Sequence, residues 1–205
     1  NKKFSLTDNG DPITQVTITN GNSSTAFYYY DQKAGDWTIR AARSGVITGT
    51  DALTVMPTTL SYYTFSTVGA QTAGTGWPMT MYGMDQYNNI VTSDSSTVVD
   101  MTNTGDAGFY TDGDYDTGTT SYTLAVGQVT IYVLDLTAES FTITGTDALD
   151  NTGTSASITV APASVDHFTL SAAADTVAGQ RAAYTVSRED LYGNAVTLNA
   201  QTVYL

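Results

Sequence analysis

Apolar and polar residues along the chain alternate at a period of two in short runs. Val16-Thr-Ile18, Trp37-Thr-Ile39 and Leu53-Thr-Val55 each place every second residue on one face. Residues 26–30 read Ala-Phe-Tyr-Tyr-Tyr, so Phe27 and Tyr29 share one side and Tyr28 and Tyr30 the other. This is the pattern of half-buried β-strands. Turn residues separate the runs, as in Asp8-Asn-Gly-Asp-Pro12, Asn20-Gly-Asn22 and Ala34-Gly-Asp36. No stretch sustains a period near 3.6 with helix caps, so almost no helix is expected. Between residues 58 and 162 about seven such runs follow one another, including residues 63–67, 77–82, 98–101, 121–126, 129–134, 140–144 and 155–160. That spacing predicts an all-β sandwich.

One phrase occurs twice. Met81-Tyr-Gly-Met-Asp85-Gln-Tyr87-Asn-Asn89-Ile-Val-Thr92 returns as Val186-Ser-Arg-Glu-Asp190-Leu-Tyr192-Gly-Asn194-Ala-Val-Thr197. The shift is 105 residues, the separation of Asp85 from Asp190. Asn88-Asn89 and Gly193-Asn194 tolerate positive φ, so each phrase predicts a strand, a tight turn and a second strand. The shift holds upstream, where Tyr63 matches Phe168 and Ala73-Gly74 matches Ala178-Gly179. Asp31 resembles Asp135, Ala34 matches Ala138, and Trp37-Thr-Ile39 matches Phe141-Thr-Ile143. The chain therefore divides into a rear half-repeat at 1–57, a complete repeat at 58–162 and a front half-repeat at 163–205. The joins near Pro57 and Pro162 are short enough to limit bending. The front half leaves strand edges and an apolar face open. It is expected to be completed by residues 1–57 of a next copy or by the continuing chain.

Composition changes the picture in one respect. Charged residues are only 13% of 205, yet the net charge is −13. Residues 44–180 contain no lysine or arginine. Binding nucleic acid through phosphate is excluded on such a surface. The charge is either for solubility or is neutralised by bound cations. Cysteine is absent, so disulfides and thiolate metal sites are excluded. The sequence contains no transmembrane span.

Asp112-Gly-Asp114-Tyr-Asp116-Thr-Gly118 carries carboxylates at alternate positions, as the opening of a calcium loop does. Asp112, Asp114 and Asp116 are the candidate calcium ligands, and calcium is the one cofactor suggested. The glycine and the absent twelfth-position glutamate depart from the EF-hand, and the alternative is an Asp/Gly turn at a loop tip. Asp85 and Asp190 are expected to accept backbone N–H groups of their turns. A second reading joins them to Asp147 and Asp150 in a cation site between repeats. Asn22-Ser-Ser24 fits a glycosylation sequon. His167 is the single histidine, and the complete repeat has none, so no Ser-His-Asp arrangement recurs and no enzymatic activity is expected. Tyr28 to Tyr30, Tyr62, Tyr63, Trp37 and Trp77 are read as core and interface residues, with a carbohydrate-stacking face as the alternative.

Ala178-Gly179-Gln180, the 190–194 phrase, residues 23–30 and residues 153–160 together resemble the tandem immunoglobulin-like repeats of bacterial and archaeal surface proteins, the invasin-like group. The resemblance covers nearly the whole chain. It implies tandem Greek-key sandwiches in an extracellular fibre, stalk or surface layer; the half-repeats add the expectation of head-to-tail assembly with neighbouring copies of the same repeat. An adhesin or carbohydrate-binding module is the alternative, with a glycan as its partner.

Overall fold

A computed structural model describes residues 3–171, 174–197 and 200–205. Every regular element among them is a strand. The complete sandwich is built from residues 62–161. One sheet orders Tyr62–Phe65, Trp77–Met84, Gln128–Leu134 and Gly108–Tyr110, all antiparallel. A second orders Ser121–Thr123, Val98–Asn103, Ile143–Asp147 and Thr152–Thr154. A small third sheet sets Ile158–Ala161 between Ser140–Phe141 and Gln71–Thr72, the last pairing being parallel. The chain crosses repeatedly between the two larger sheets, as in a Greek-key sandwich.

Alternation explains the core. Along Trp77–Met84 the residues Trp77, Met79, Met81 and Gly83 are buried, while Pro78 is exposed. Pro78 has no N–H to offer a ladder. It is tolerated because the Tyr62–Phe65 strand pairs only with Met81 to Met84, so the chain is an edge at Pro78. Ile131 and Val133 from the neighbouring strand, and Val99 and Ile143 from the facing sheet, are fully enclosed. Each such burial contributes about 1.5–3 kcal/mol. The buried cluster is drawn wholly from residues 63–160.

The flanking segments carry three separate two-stranded pairs. Lys3–Ser5 pairs with Tyr28–Tyr30, and Gly35–Ala41 pairs with Gly49–Val55. His167–Leu170 pairs with Val186–Glu189. Phe4 meets Phe27 and Tyr29 at ring-centroid distances of 5.7 and 5.3 Å, so Phe27 and Tyr29 do share a side.

Several expected strands are absent or shorter than the pattern suggests. Val16 and Ile18 lie outside any strand and are exposed, because no neighbouring edge reaches them; only Ile13 bridges to Phe4. The strand from Ser121 ends at Thr123, since Val126 and Gly127 turn at φ of 54° and 75°. The second arm of each repeated phrase is a single bridge, Met84 to Ile90 and Glu189 to Ala195.

Candidate functional site at the module joints

The repeated phrase is a joint. At the first copy, Asp85 is fully buried, and its Oδ1 accepts the N–H groups of Tyr87 (2.8 Å) and Asn89 (2.9 Å). Its Oδ2 accepts Thr58 N–H (2.9 Å) and Asn89 Nδ2 (3.0 Å). Asn88 supplies the left-handed residue at φ 65° that the turn requires. The carboxylate thus ties the incoming linker at Thr58 to the turn.

Asn89 then reaches the preceding segment. Its Nδ2 donates to the Gln32 carbonyl (2.8 Å), and its Oδ1 accepts Ala34 N–H (2.9 Å). The side-chain amide imitates one residue of a strand partner. Its target is pre-shaped, because Asp31 Oδ1 accepts Lys33 N–H at 3.0 Å and turns the loop so that Gln32 O and Ala34 N face outward together.

The second copy repeats this atom for atom. Asp190 accepts Tyr192 N–H, Asn194 N–H, Ala163 N–H and Asn194 Nδ2 at 2.8–2.9 Å. Asn194 Nδ2 donates to Leu136 O, and Ala138 N–H donates to Asn194 Oδ1, both at 2.8 Å. Asp135 Oδ1 accepts Thr137 N–H at 2.8 Å and shapes this target as Asp31 shapes the first. Gly193 takes the left-handed position at φ 84°. The Tyr192 ring sits against Gly74, where any Cβ would overlap it.

A third copy of the turn was hidden in the sequence. Asp147 Oδ1 accepts Leu149 N–H and Asn151 N–H, and Asp150 is the left-handed residue at φ 63°. Asn151 Nδ2 donates to Asp147 Oδ2 at 3.0 Å. Here the linker N–H is replaced by the Tyr63 hydroxyl, 2.7 Å from Asp147 Oδ2. The spacing Asp-x-x-x-Asn with a left-handed residue before the Asn was the available signal. It was missed because this copy lies off the 105-residue shift and lacks the tyrosine.

These bonds decide the charge states. Burial pushes the carboxyls of Asp85, Asp147 and Asp190 upward, but hydrogen bonds from their Asn partners and from backbone N–H groups outweigh it and hold all three below the ordinary value of 3.8. Burial and the Asp147 carboxylate push the Tyr63 hydroxyl well above the usual phenol range. Asp135 goes the other way. It is buried, only its Oδ1 has a donor, and burial together with Glu139 and Asp106 raises its carboxyl. The equivalent Asp31 has the Tyr29 hydroxyl on its Oδ2 at 2.7 Å; Val133 stands at that place in the complete repeat and offers none.

The expected turn role of Asp85 and Asp190 is therefore observed. Among the described residues neither Asp85 nor Asp190 hydrogen-bonds Asp147 or Asp150; Asp85, Asp147 and Asp190 are each engaged by their own turn. Asp112, Asp114 and Asp116 lie exposed on one loop. Asp112 accepts Asp114 N–H at 3.0 Å, and Asp116 accepts the Thr117 hydroxyl. Between them Tyr115, at φ 55°, folds the loop back against Gly76 and meets Tyr110 and Tyr132 edge-on at 5.7 and 6.2 Å. Among the described residues no three acidic or histidine side chains converge in a way that could hold a metal ion. His167 is exposed beside Asp166 and Glu189. Asn22 of the sequon is exposed, its amide donating to the Thr19 hydroxyl. Trp77 and Tyr63 are core residues, and Trp37 is half-buried.

No family model matches the chain, and no curated protein sequence matches it. Among solved structures it is similar to the surface layer protein SbsC, domains 4–9, at 16% identity over 93% of this chain and 31% of that one, with a TM-score of 0.36. It is also similar to a glycosyl hydrolase family 2 member from Bacteroides cellulosilyticus, at 14% identity over 78% of this chain and 21% of that one, TM-score 0.43. A beta-glycosidase from Bacteroides vulgatus gives 12% identity over the same shares, TM-score 0.43. The chain spans about a fifth to a third of the length of these structures, and likeness at this level carries no functional assignment.

Proposed function

We propose that the chain is a non-catalytic structural module of an extracellular stalk, fibre or surface layer, in which successive sandwiches follow head to tail at fixed joints. The observation that carries this reading is the repeated Asp–Asn clamp. Two buried aspartates bind the linker N–H groups of Thr58 and Ala163, and two asparagines bind the backbone of the preceding segment at Gln32 and Leu136. Such bonds restrict bending between the segments they join. Among the described residues no helix is long and apolar enough to cross a membrane.

The alternative is a carbohydrate-binding or adhesive module. Tyr110, Tyr115 and Tyr132 would be its face. Their rings meet at interplanar angles of 72° and 78°, which makes a self-packed cluster and not a flat platform for a sugar. Antibodies against the chain should label intact cells of its source from outside, and the chain should bind nothing on a glycan array. Labelling only after permeabilisation would contradict the surface role, and a saturable glycan signal would favour the alternative.

A further inference from the structure

The loops that receive Asn89 and Asn194 are built alike except at one carboxylate oxygen. Asp31 and Asp135 each shape their loop through Oδ1, which accepts Lys33 N–H at 3.0 Å in the first and Thr137 N–H at 2.8 Å in the second. Asp31 Oδ2 accepts the Tyr29 hydroxyl at 2.7 Å. Asp135 Oδ2 is buried and accepts from no donor among the described residues. An ionised oxygen is costly in such a place, because it has given up water and gained no hydrogen bond in return.

Two positions make the difference, and both act in the same direction. Val133 stands where the first loop has Tyr29, and Glu139 stands where it has Gly35. The second loop has lost a neutral donor and gained an acid. The Glu139 carboxyl lies within hydrogen-bonding reach of Asp135. It is held there, since its Oε1 accepts Asp106 N–H at 2.6 Å and Gly105 leaves the room that any Cβ would take from it. Glu139 and Asp106 are the titratable groups that face Asp135, and both are acidic. Residues 44–180 contain no lysine or arginine to balance them. Two carboxyl groups in contact form a bond only while one of them carries a proton.

We infer that Asp135 and Glu139 share one proton, and that this proton stiffens the second joint while the first stays indifferent to pH. With the proton in place, Asp135 Oδ2 donates to the Glu139 carboxylate and Oδ1 keeps Thr137 N–H. The loop then holds the Leu136 carbonyl and Ala138 N–H toward Asn194. Asp135 is the buried member and keeps the proton; Glu139 is half-buried and keeps the charge. Burial first, then Glu139 and Asp106, raise the Asp135 carboxyl against the pull of Thr137 N–H. As pH rises through that raised value the proton passes to water, the two carboxylates repel, and Glu139 turns out to solvent. The 135–138 loop loses an anchor and the Asn194 clamp loosens. The stiffening is therefore complete at low pH and lost on the alkaline side. The first joint has no such loss, because burial and Asp31 push the Tyr29 hydroxyl up to about 12 and it remains a donor. The inference rests on the reading of the Asp–Asn clamp as a joint.

Carboxyl-carbon resonances and amide exchange of the whole chain, followed from about pH 4 to about pH 8, test this together. The Asp135 carboxyl carbon should titrate above the ordinary carboxylate value. In Glu139→Gln it should titrate at least about one pH unit lower than in the parent, because the Gln amide donates to Asp135 without a shared proton. Protection of Ala138 N–H relative to Ala34 N–H, each corrected for intrinsic exchange, should fall about tenfold from acid to alkaline pH in the parent and stay level in Glu139→Gln. An Asp135 titration that ignores Glu139→Gln, or a parent ratio that is flat with pH, would overturn the inference and leave the clamp standing. An Ala138 N–H unprotected at every pH would overturn the clamp, and this inference with it.

Discussion

Asn194 holds Leu136 across the second joint through a 2.8 Å bond to its carbonyl, as Asn89 holds Gln32 across the first at the same distance. The two pairs are 105 and 104 residues apart in their respective members, and the geometry is conserved to 0.1 Å in the return bonds from Ala138 and Ala34. A side-chain amide here does the work of a strand edge, and a buried carboxylate keeps that amide aimed.

Asn194→Ala removes both cross-joint bonds and leaves the Ala138 N–H without its partner. The Ala138 amide should be protected from hydrogen exchange in the parent chain and exchange at least about tenfold faster in the variant, in line with a net loss of about 1.4 kcal/mol. The core amides of Ile131 and Val133 should be unaffected.

Asp190→Ala strips acceptors from Tyr192, Asn194 and Ala163 together. Orphaned N–H groups cost about 1–3 kcal/mol each where they stay buried. The hairpin at 167–189 should therefore lose protection before the 62–161 sandwich does, with two unfolding steps in denaturant in place of one broadened step. Asp190→Asn should be intermediate, since its amide oxygen keeps part of the acceptor capacity.

Acidity should act in two opposed ways. Asp85, Asp147 and Asp190 have folded values below their unfolded ones, so their stabilisation is present above the unfolded value of about 3.8 and lost as pH falls through the folded values. Asp135 is raised, so the folded chain holds a proton the unfolded chain releases, and stability increases as pH falls from neutral toward the ordinary carboxylate range. The thermal midpoint should rise from pH 7 to about 4.5 and fall below about 3.8. Asp135→Asn should flatten the upper limb and leave the acid limb in place.

Tyr63→Phe deletes the hydroxyl that stands in for a linker N–H at Asp147. A loss of about 1–2 kcal/mol is expected, with the cavity near zero because only one oxygen is removed. Gly153→Ala should cost more, because its Cβ would overlap the Tyr63 backbone carbonyl, which cannot swing away. Equilibrium urea unfolding of the two variants would rank them.

Period-two alternation was enough to read the sandwich, since Trp77, Met79 and Met81 face the core as written. The repeated phrase was also legible, as was the turn role of Asp85 and Asp190. The joint was not. Asn89 and Asn194 look like turn residues, and their reach to Gln32 and Leu136 depends on where another segment ends, which no local pattern encodes. Strand ends were misjudged where propensity had no neighbouring edge to act on, as at Val16 and Ile18. The unpaired Oδ2 of Asp135 was equally silent, because it follows from losing one tyrosine hydroxyl at Val133.

Small-angle X-ray scattering of the monomeric parent chain against the Asn89→Ala/Asn194→Ala double variant tests the joints most directly. The account predicts one narrow, extended distance distribution for the parent and a broadened distribution shifted to shorter maximum dimension for the variant, with the thermal midpoint of the central sandwich unchanged. Superimposable distributions would contradict the claim that these clamps fix the joints.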